Sequence, residues 1–206
     1  MSEILLRKLK TLSKQIKSKG FLLAGKIYID TLAVFILSKI YGFPASWHPP
    51  TSARPYRLTV AQAVNSVKPQ IVCEVGCGLG SILSRVNSPI RYGFDIDAGV
   101  VRAAKVLRTR NLHLEVGSLE SVDLEHIDVL VLVNWIHEIN PAELEERLSP
   151  LLRKTRYLLL DAIDVDNDYG YQYKHDFAFL SGKASLVSVS RCPGEGRSFR
   201  LFYVNS

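Results

Sequence analysis

The stretch Glu74-Val75-Gly76-Cys77-Gly78-Leu79-Gly80-Ser81 follows the apolar run Ile71-Val72-Cys73. Three glycines at alternate positions, headed by a carboxylate, leave the backbone bare just after a strand-like segment. Such a turn lets a ligand come within contact distance and supplies positive φ where the chain needs it. In an open parallel sheet it lies at the carboxyl ends of the strands, where ligands bind near the topological switch point. A helix predicted over Ser81–Arg85 would add unpaired N–H donors from its amino end.

Outward from this loop the pattern alternates. Short apolar or β-branched runs predict strands at Ile71–Val75, Arg91–Asp95, Leu112–Val116, Val129–Val133 and Tyr157–Asp161. Helical segments are expected at Thr59–Val67, Ala98–Arg108 and Pro141–Leu152. Strands alternating with helices imply a doubly wound, mostly parallel sheet, an α/β fold. The last part differs. Ala184–Arg191 and Ser198–Val204 flank the turn sequence Cys192-Pro193-Gly194-Glu195-Gly196, which predicts an antiparallel hairpin.

The 206 residues suffice for one such domain with an extension. Residues 1–20 carry six basic side chains against Glu3, leaving the other 186 residues with a net charge of only +1. A nearly neutral body argues against a nucleic-acid face. Leu5, Leu9, Leu12 and Ile16 recur at helical spacing over residues 3–19, with lysines on the other faces. This helix has two readings: peripheral contact with an anionic membrane, or packing on protein. A second apolar helix is expected over Leu22–Ile40, where Lys26 and Asp30 argue against a membrane span. The segment 41–56 holds four prolines and reads as a loop. Residues 1–57 are therefore an N-terminal helical extension with a proline-rich lid or linker, and residues 58–206 the main domain. Trp47 and His48, with Tyr56, are candidates for the lid.

Cys73, Cys77 and Cys192 are too few for a disulfide framework or zinc site, which fits a cytoplasmic setting. The five histidines are scattered, so no metal site is expected.

The dinucleotide fingerprint G-x-G-x-x-G is not met, because Ser81 stands at its third glycine. The spacing is acid-x-G-x-G-x-G from Glu74, and Asp95 ends the second strand 21 residues later. With the terminal hairpin, this resembles the class I S-adenosylmethionine-dependent methyltransferases over about residues 58–205. The resemblance implies a Rossmann-like, seven-stranded methyltransferase fold with S-adenosylmethionine as cofactor. Glu74, Gly76, Gly78 and Gly80 would line its methionine end, Asp95 would hold the ribose, and Ile96 would pack beside the adenine. Ser118, followed by Leu119, occupies the adenine-amine position, where the family usually has an acid; Glu120 is a secondary candidate for that contact.

After the fourth strand, Asn134 and Trp135 are placed to touch cofactor or acceptor. The run Trp135-Ile136-His137-Glu138 resembles a region of small-molecule O-methyltransferases in which the histidine is the general base. A positioned imidazole contributes about 10²–10⁴-fold to proton removal. His137 is the expected catalytic residue, and a small molecule methylated at oxygen the expected partner. Asp161, Asp164, Asp166, Tyr169, Tyr171, Tyr173, His175 and Asp176 are further polar candidates. The Asn-Pro-Pro-Tyr type motif of nucleic-acid and protein amino methyltransferases is absent. Methylation of nitrogen or RNA, nicotinamide-dependent oxidoreduction, and cofactor binding without turnover remain alternatives. The oligomeric state is left open.

Overall fold

A computed structural model describes residues 21–107, 111–164, 170–193 and 196–205. The helix expected over residues 3–19 lies outside them, as do Tyr169 and Asp166. The chain divides into two compact units, Met1–Pro55 and Tyr56–Ser206.

In the first unit, helix α1 (Phe21–Tyr41) runs for 21 residues. Two 3₁₀ turns follow, Ala45–Trp47 and Thr51–Ala53. Asp30 anchors the second turn to the helix by accepting from Ser52 Oγ at 2.7 Å. His48 meets the Phe43 ring edge-on at 5.6 Å.

The second unit begins with α2 (Tyr56–Asn65). Seven strands follow: β1 (Ile71–Val75), β2 (Ile90–Asp95), β3 (Leu112–Val116), β4 (Ile127–Leu132), β5 (Thr155–Ile163), β6 (Ala184–Arg191) and β7 (Arg197–Val204). Helices α3 (Ala98–Leu107) and α4 (Pro141–Leu152) are crossovers. The sheet order is β3-β2-β1-β4-β5-β7-β6. Strands β1 to β5 pair in parallel, and β7 runs antiparallel to both β5 and β6. The order reverses between β1 and β4, so their carboxyl ends frame the switch point.

The central strands are buried on both faces, as a parallel sheet covered by helices requires. In β4 the period of two sends Leu130 and Leu132 to one core and Val129 and Val131 to the other. The leucine side is closed by Leu144 and Leu148 of α4, both with no exposure. Each is worth about 1.5–3 kcal/mol of transfer free energy. Helix α4 starts where Asn140 Oδ1 accepts from the Glu143 N–H at 2.9 Å and Pro141 takes the first helical position. The valine side is closed by Val60, Ala61 and Val64 of α2 and Val101 and Ala104 of α3.

One element departs from expectation. Ser81–Arg85 is not an α-helix; only a 3₁₀ turn, Leu83–Arg85, follows the glycine loop. The turn packs closely on β2: a Cβ at Gly93 would come within 2.9 Å of Cys77 Sγ and Leu83 Cδ1.

Candidate functional site

The glycine loop leaves β1 at the switch point. Gly76, Gly78 and Gly80 all have positive φ, +74°, +54° and +66°. The loop is held from β2: Gly76 N and Cys77 N both donate to Phe94 O, at 2.8 and 3.0 Å. Asp95, buried at the end of β2, continues the clamp. Its Oδ2 accepts from Gly78 N at 2.8 Å and its Oδ1 from Asp97 N at 3.0 Å. Each carboxylate oxygen has a second lone pair, so Asp95 keeps capacity for hydroxyl donors. Asp97 caps α3 by accepting from Gly99 N and Val100 N.

Glu74 is buried beside this loop. The Leu83 N–H bonds its carboxyl group, and Arg57 and Asp95 act on it through their charges. Its Oε2 has no hydrogen-bond partner. Burial pushes its pKa up to about 8, against the pull of Arg57. A buried carboxyl with an unpartnered oxygen suits a cationic group that would restore its charge.

Gly76 has a second constraint. A Cβ there would sit 2.3 Å from Trp135 Cδ1. The indole lies over the bare backbone and its Nε1–H donates to Val75 O at 2.7 Å. The bare backbone at Gly76 thus makes room for Trp135 itself, a contact the sequence reading missed.

The expected adenine residues separate. Ile96 is 77% exposed beside Asp95, a free apolar surface. The Ser118 N–H donates to Ser121 Oγ, and the Ser118 hydroxyl donates to Glu120. Glu120 is in turn paired with Arg147, which holds its carboxyl down at about 2. Leu119 is 1% exposed within the core beneath the sheet end. The expectation that it touches cofactor is corrected by this packing.

A second cluster occupies the ends of β4, β5 and β7. Asn134 has φ +75°, unusual for a residue with a side chain. Four neighbours fix it. Its N–H donates to Asp161 Oδ1 at 3.0 Å, and its Nδ2 donates to Tyr56 OH at 2.9 Å. Its Oδ1 accepts from Arg197 Nη1 at 2.8 Å and from Tyr171 OH at 3.5 Å. Arg197 Nη2 also donates to Asp161 Oδ2, and its guanidinium lies 4.8 Å from the Tyr56 ring centre. Asp161 and Arg197 are both buried. The sequence reading missed Arg197; its only signal was a basic residue just before the expected strand Ser198–Val204, which carries a second one, Arg200.

His137 belongs to this cluster. It sits in the 3₁₀ turn Trp135–Glu138 and has no exposed surface. Nδ1 lies 3.2 Å from Tyr173 O, which can only accept, so Nδ1 carries the proton. Nε2 is then an acceptor, 3.2 Å from Asp161 Oδ2 and without a hydrogen bond. Burial first, then the charge of Arg197, lower its pKa to about 4. The ring is therefore neutral and has a base's lone pair, but that lone pair faces a carboxylate inside the protein. A general base must reach the proton it removes; in this arrangement His137 holds the turn instead. Tyr171 and His175 close the ring in, with centroids 4.9 and 5.5 Å away. Residues 171–175 are laced to the turn by Tyr173 N to His137 O and by His175 Nε2 to Ile136 O.

Among the described residues, no group of three or more His, Cys, Asp or Glu side chains is placed to hold a metal ion. No protein-family model matches the chain, and no curated protein matches it. Solved structures do. The N-methyltransferase NodS from Bradyrhizobium japonicum WM9 is 12% identical with a TM-score of 0.64, covering 75% of this chain and 97% of NodS. Magnesium protoporphyrin IX methyltransferase (ChlM) from Synechocystis PCC 6803, with bound SAH, is 17% identical with a TM-score of 0.58, covering 86% and 97%. The methyltransferase domain of bacterial CtHen1-C is 16% identical with a TM-score of 0.55, covering 73% and 97%. At these identities the likeness establishes the fold, which is the Rossmann-like fold of class I methyltransferases.

Proposed function

We propose that this chain is an enzyme that transfers a methyl group from S-adenosylmethionine to a small-molecule acceptor. The observation that carries the reading is Glu74, a buried carboxyl group with an unpartnered oxygen at the head of a three-glycine loop. That place, at the switch point of a methyltransferase fold, calls for a cationic ligand lying against bare backbone. The residues present fit the cofactor. Glu74 and the loop at Gly76, Gly78 and Gly80 would hold its methionine end, Asp95 its ribose hydroxyls, and Ile96 the adenine face. Ser118 and Asn134 border the same strand ends. When bound, S-adenosylmethionine supplies an electrophilic methyl group on a sulfonium centre. The protein's task is to hold the acceptor in line with it and to exclude water, an effect worth up to about 7–11 kcal/mol.

The acceptor reading is shaped by His137. An oxygen acceptor using it as general base would require the ring to leave its enclosure. The closed geometry favours an acceptor, such as an amine, that needs no strong base, and NodS is an N-methyltransferase. Magnesium protoporphyrin IX for ChlM marks how far acceptors differ on one fold.

The test is calorimetric titration with S-adenosylhomocysteine and with NADH, on the wild type and on Asp95→Ala. Binding of S-adenosylhomocysteine alone, weakened by the substitution, is expected. Binding of NADH alone would replace the reading with an oxidoreductase. Cofactor binding without turnover of any acceptor would favour a regulatory role.

A further inference from the structure

Helix α1 presents apolar side chains on two opposite faces. Ala24, Ile27, Val34 and Ser38 are buried. At 3.6 residues per turn, Leu22, Ile29, Ala33, Ile36 and Ile40 fall on the opposite side, and all five are exposed. Leu22, Ile29 and Ile40 are more than 60% exposed. Leu32, 49% exposed, widens the stripe. Lys26 and Lys39 stand at its margins, and Asp30 is turned away, bound to Lys26 and Ser52. An exposed apolar patch of this kind marks a surface that meets protein or lipid.

Charge selects between the two. Residues 1–55 hold nine basic side chains against Glu3 and Asp30, a net +7, whereas residues 56–206 hold 17 against 18. Pairing two copies through this stripe would bring two strongly cationic units together. An anionic bilayer attracts the same unit, and basic residues beside an apolar helix are the arrangement that anionic lipid headgroups recognise. No helix among the described residues is long and apolar enough to cross a membrane. A helix lying in the interface plane needs only one apolar face, sunk about 5–10 Å.

We propose that α1 docks the protein on an anionic phospholipid surface through Leu22, Ile29, Leu32, Ile36 and Ile40, with Lys26 and Lys39 at the headgroups. The stripe is a peripheral docking surface that uses none of the residues assigned to the cofactor.

The full-length protein would be co-sedimented with vesicles of phosphatidylcholine, and of phosphatidylcholine with roughly one-third phosphatidylglycerol, at low and high salt. The proposal expects retention on the anionic vesicles, weaker at high salt. It expects at least about tenfold weaker binding by Ile29→Glu/Ile36→Glu. Both positions are exposed, and an unchanged melting temperature would show that the variant folds. Three results would overturn it: no preference for anionic vesicles, undiminished binding by the double variant, or a dimer dispersed by the variant with no vesicle binding. S-adenosylhomocysteine affinity is the control and is expected to be the same for both proteins, so the two proposals fail separately.

Discussion

Two clusters sit at neighbouring strand ends and are built by opposite means. At the ends of β1 and β2 the shape is made by backbone: three positive-φ glycines clamped by Phe94 O and Asp95. At the ends of β4, β5 and β7 it is made by side chains: Asn134, Asp161, Arg197 and Tyr56 bonded to one another, with the His137 ring 3.2 Å from Asp161. The first leaves Glu74 Oε2 open inside the protein. The second pairs Asp161 with Arg197 internally, and its own unbonded atom, His137 Nε2, faces the Asp161 carboxylate. Charges paired with one another stabilise a conformation, whereas a buried carboxyl oxygen left unbonded beside bare backbone awaits a partner.

The largest effect is expected from the side-chain cluster. Arg197→Met strips the counter-charge from buried Asp161 and should cost about 3–5 kcal/mol, read as a shift in the urea midpoint at unchanged slope. A loss within experimental scatter would mean that the cluster is ornamental. Gly76→Ala probes the backbone cluster. The new methyl meets Trp135 at a positive φ, an overpacking cost of about 1–3 kcal/mol, together with lost S-adenosylhomocysteine binding. Adding Trp135→Ala should recover part of the stability; no recovery would show that the strain lies in the backbone alone.

Glu74→Gln should act with the opposite sign. The folded pKa of about 8 lies above the unfolded value of about 4.5. The native state therefore binds more protons between those values, and stability falls as pH rises through this window. Above pH 8 the substitution should stabilise the unliganded protein by about 1–3 kcal/mol while weakening cofactor binding. Thermal melts at pH 6 and pH 9 read the first part and titration the second; equal gains at both pH values would contradict the assignment. The smallest effect belongs to Asp97→Ala. Loss of this cap should cost about 1 kcal/mol and leave S-adenosylhomocysteine affinity unchanged, which separates helix capping from the ligand role given to Asp95.

Period and punctuation made the sheet legible. β1, β3 and β6 have the expected bounds, because short apolar or β-branched runs bounded by turn residues are local signals. The segment Ser81–Arg85 misled because so short a run reads alike as a 3₁₀ turn and as the first turn of an α-helix. The glycine loop and Asp95 were also visible, since spacing carries them. The fate of His137 was not. Whether an imidazole faces substrate or the interior depends on Asp161, Tyr173 and Arg197, which lie on other segments. The same holds for Leu119, a polar-loop residue by position and a core residue by packing.

The junction at Asn134 has a consequence for the order in which this domain is made. Tyr56 opens the second unit and Arg197 opens its last described strand, yet both bond one side chain between them. Such contacts have high sequence separation, and chain topologies rich in them fold slowly. During synthesis Asp161 has no guanidinium to meet until Arg197 emerges. The central parallel strands must wait, their edge uncovered, for β7 to dock beside β5. The nascent domain is thus most exposed to misassociation just before its β6–β7 hairpin emerges.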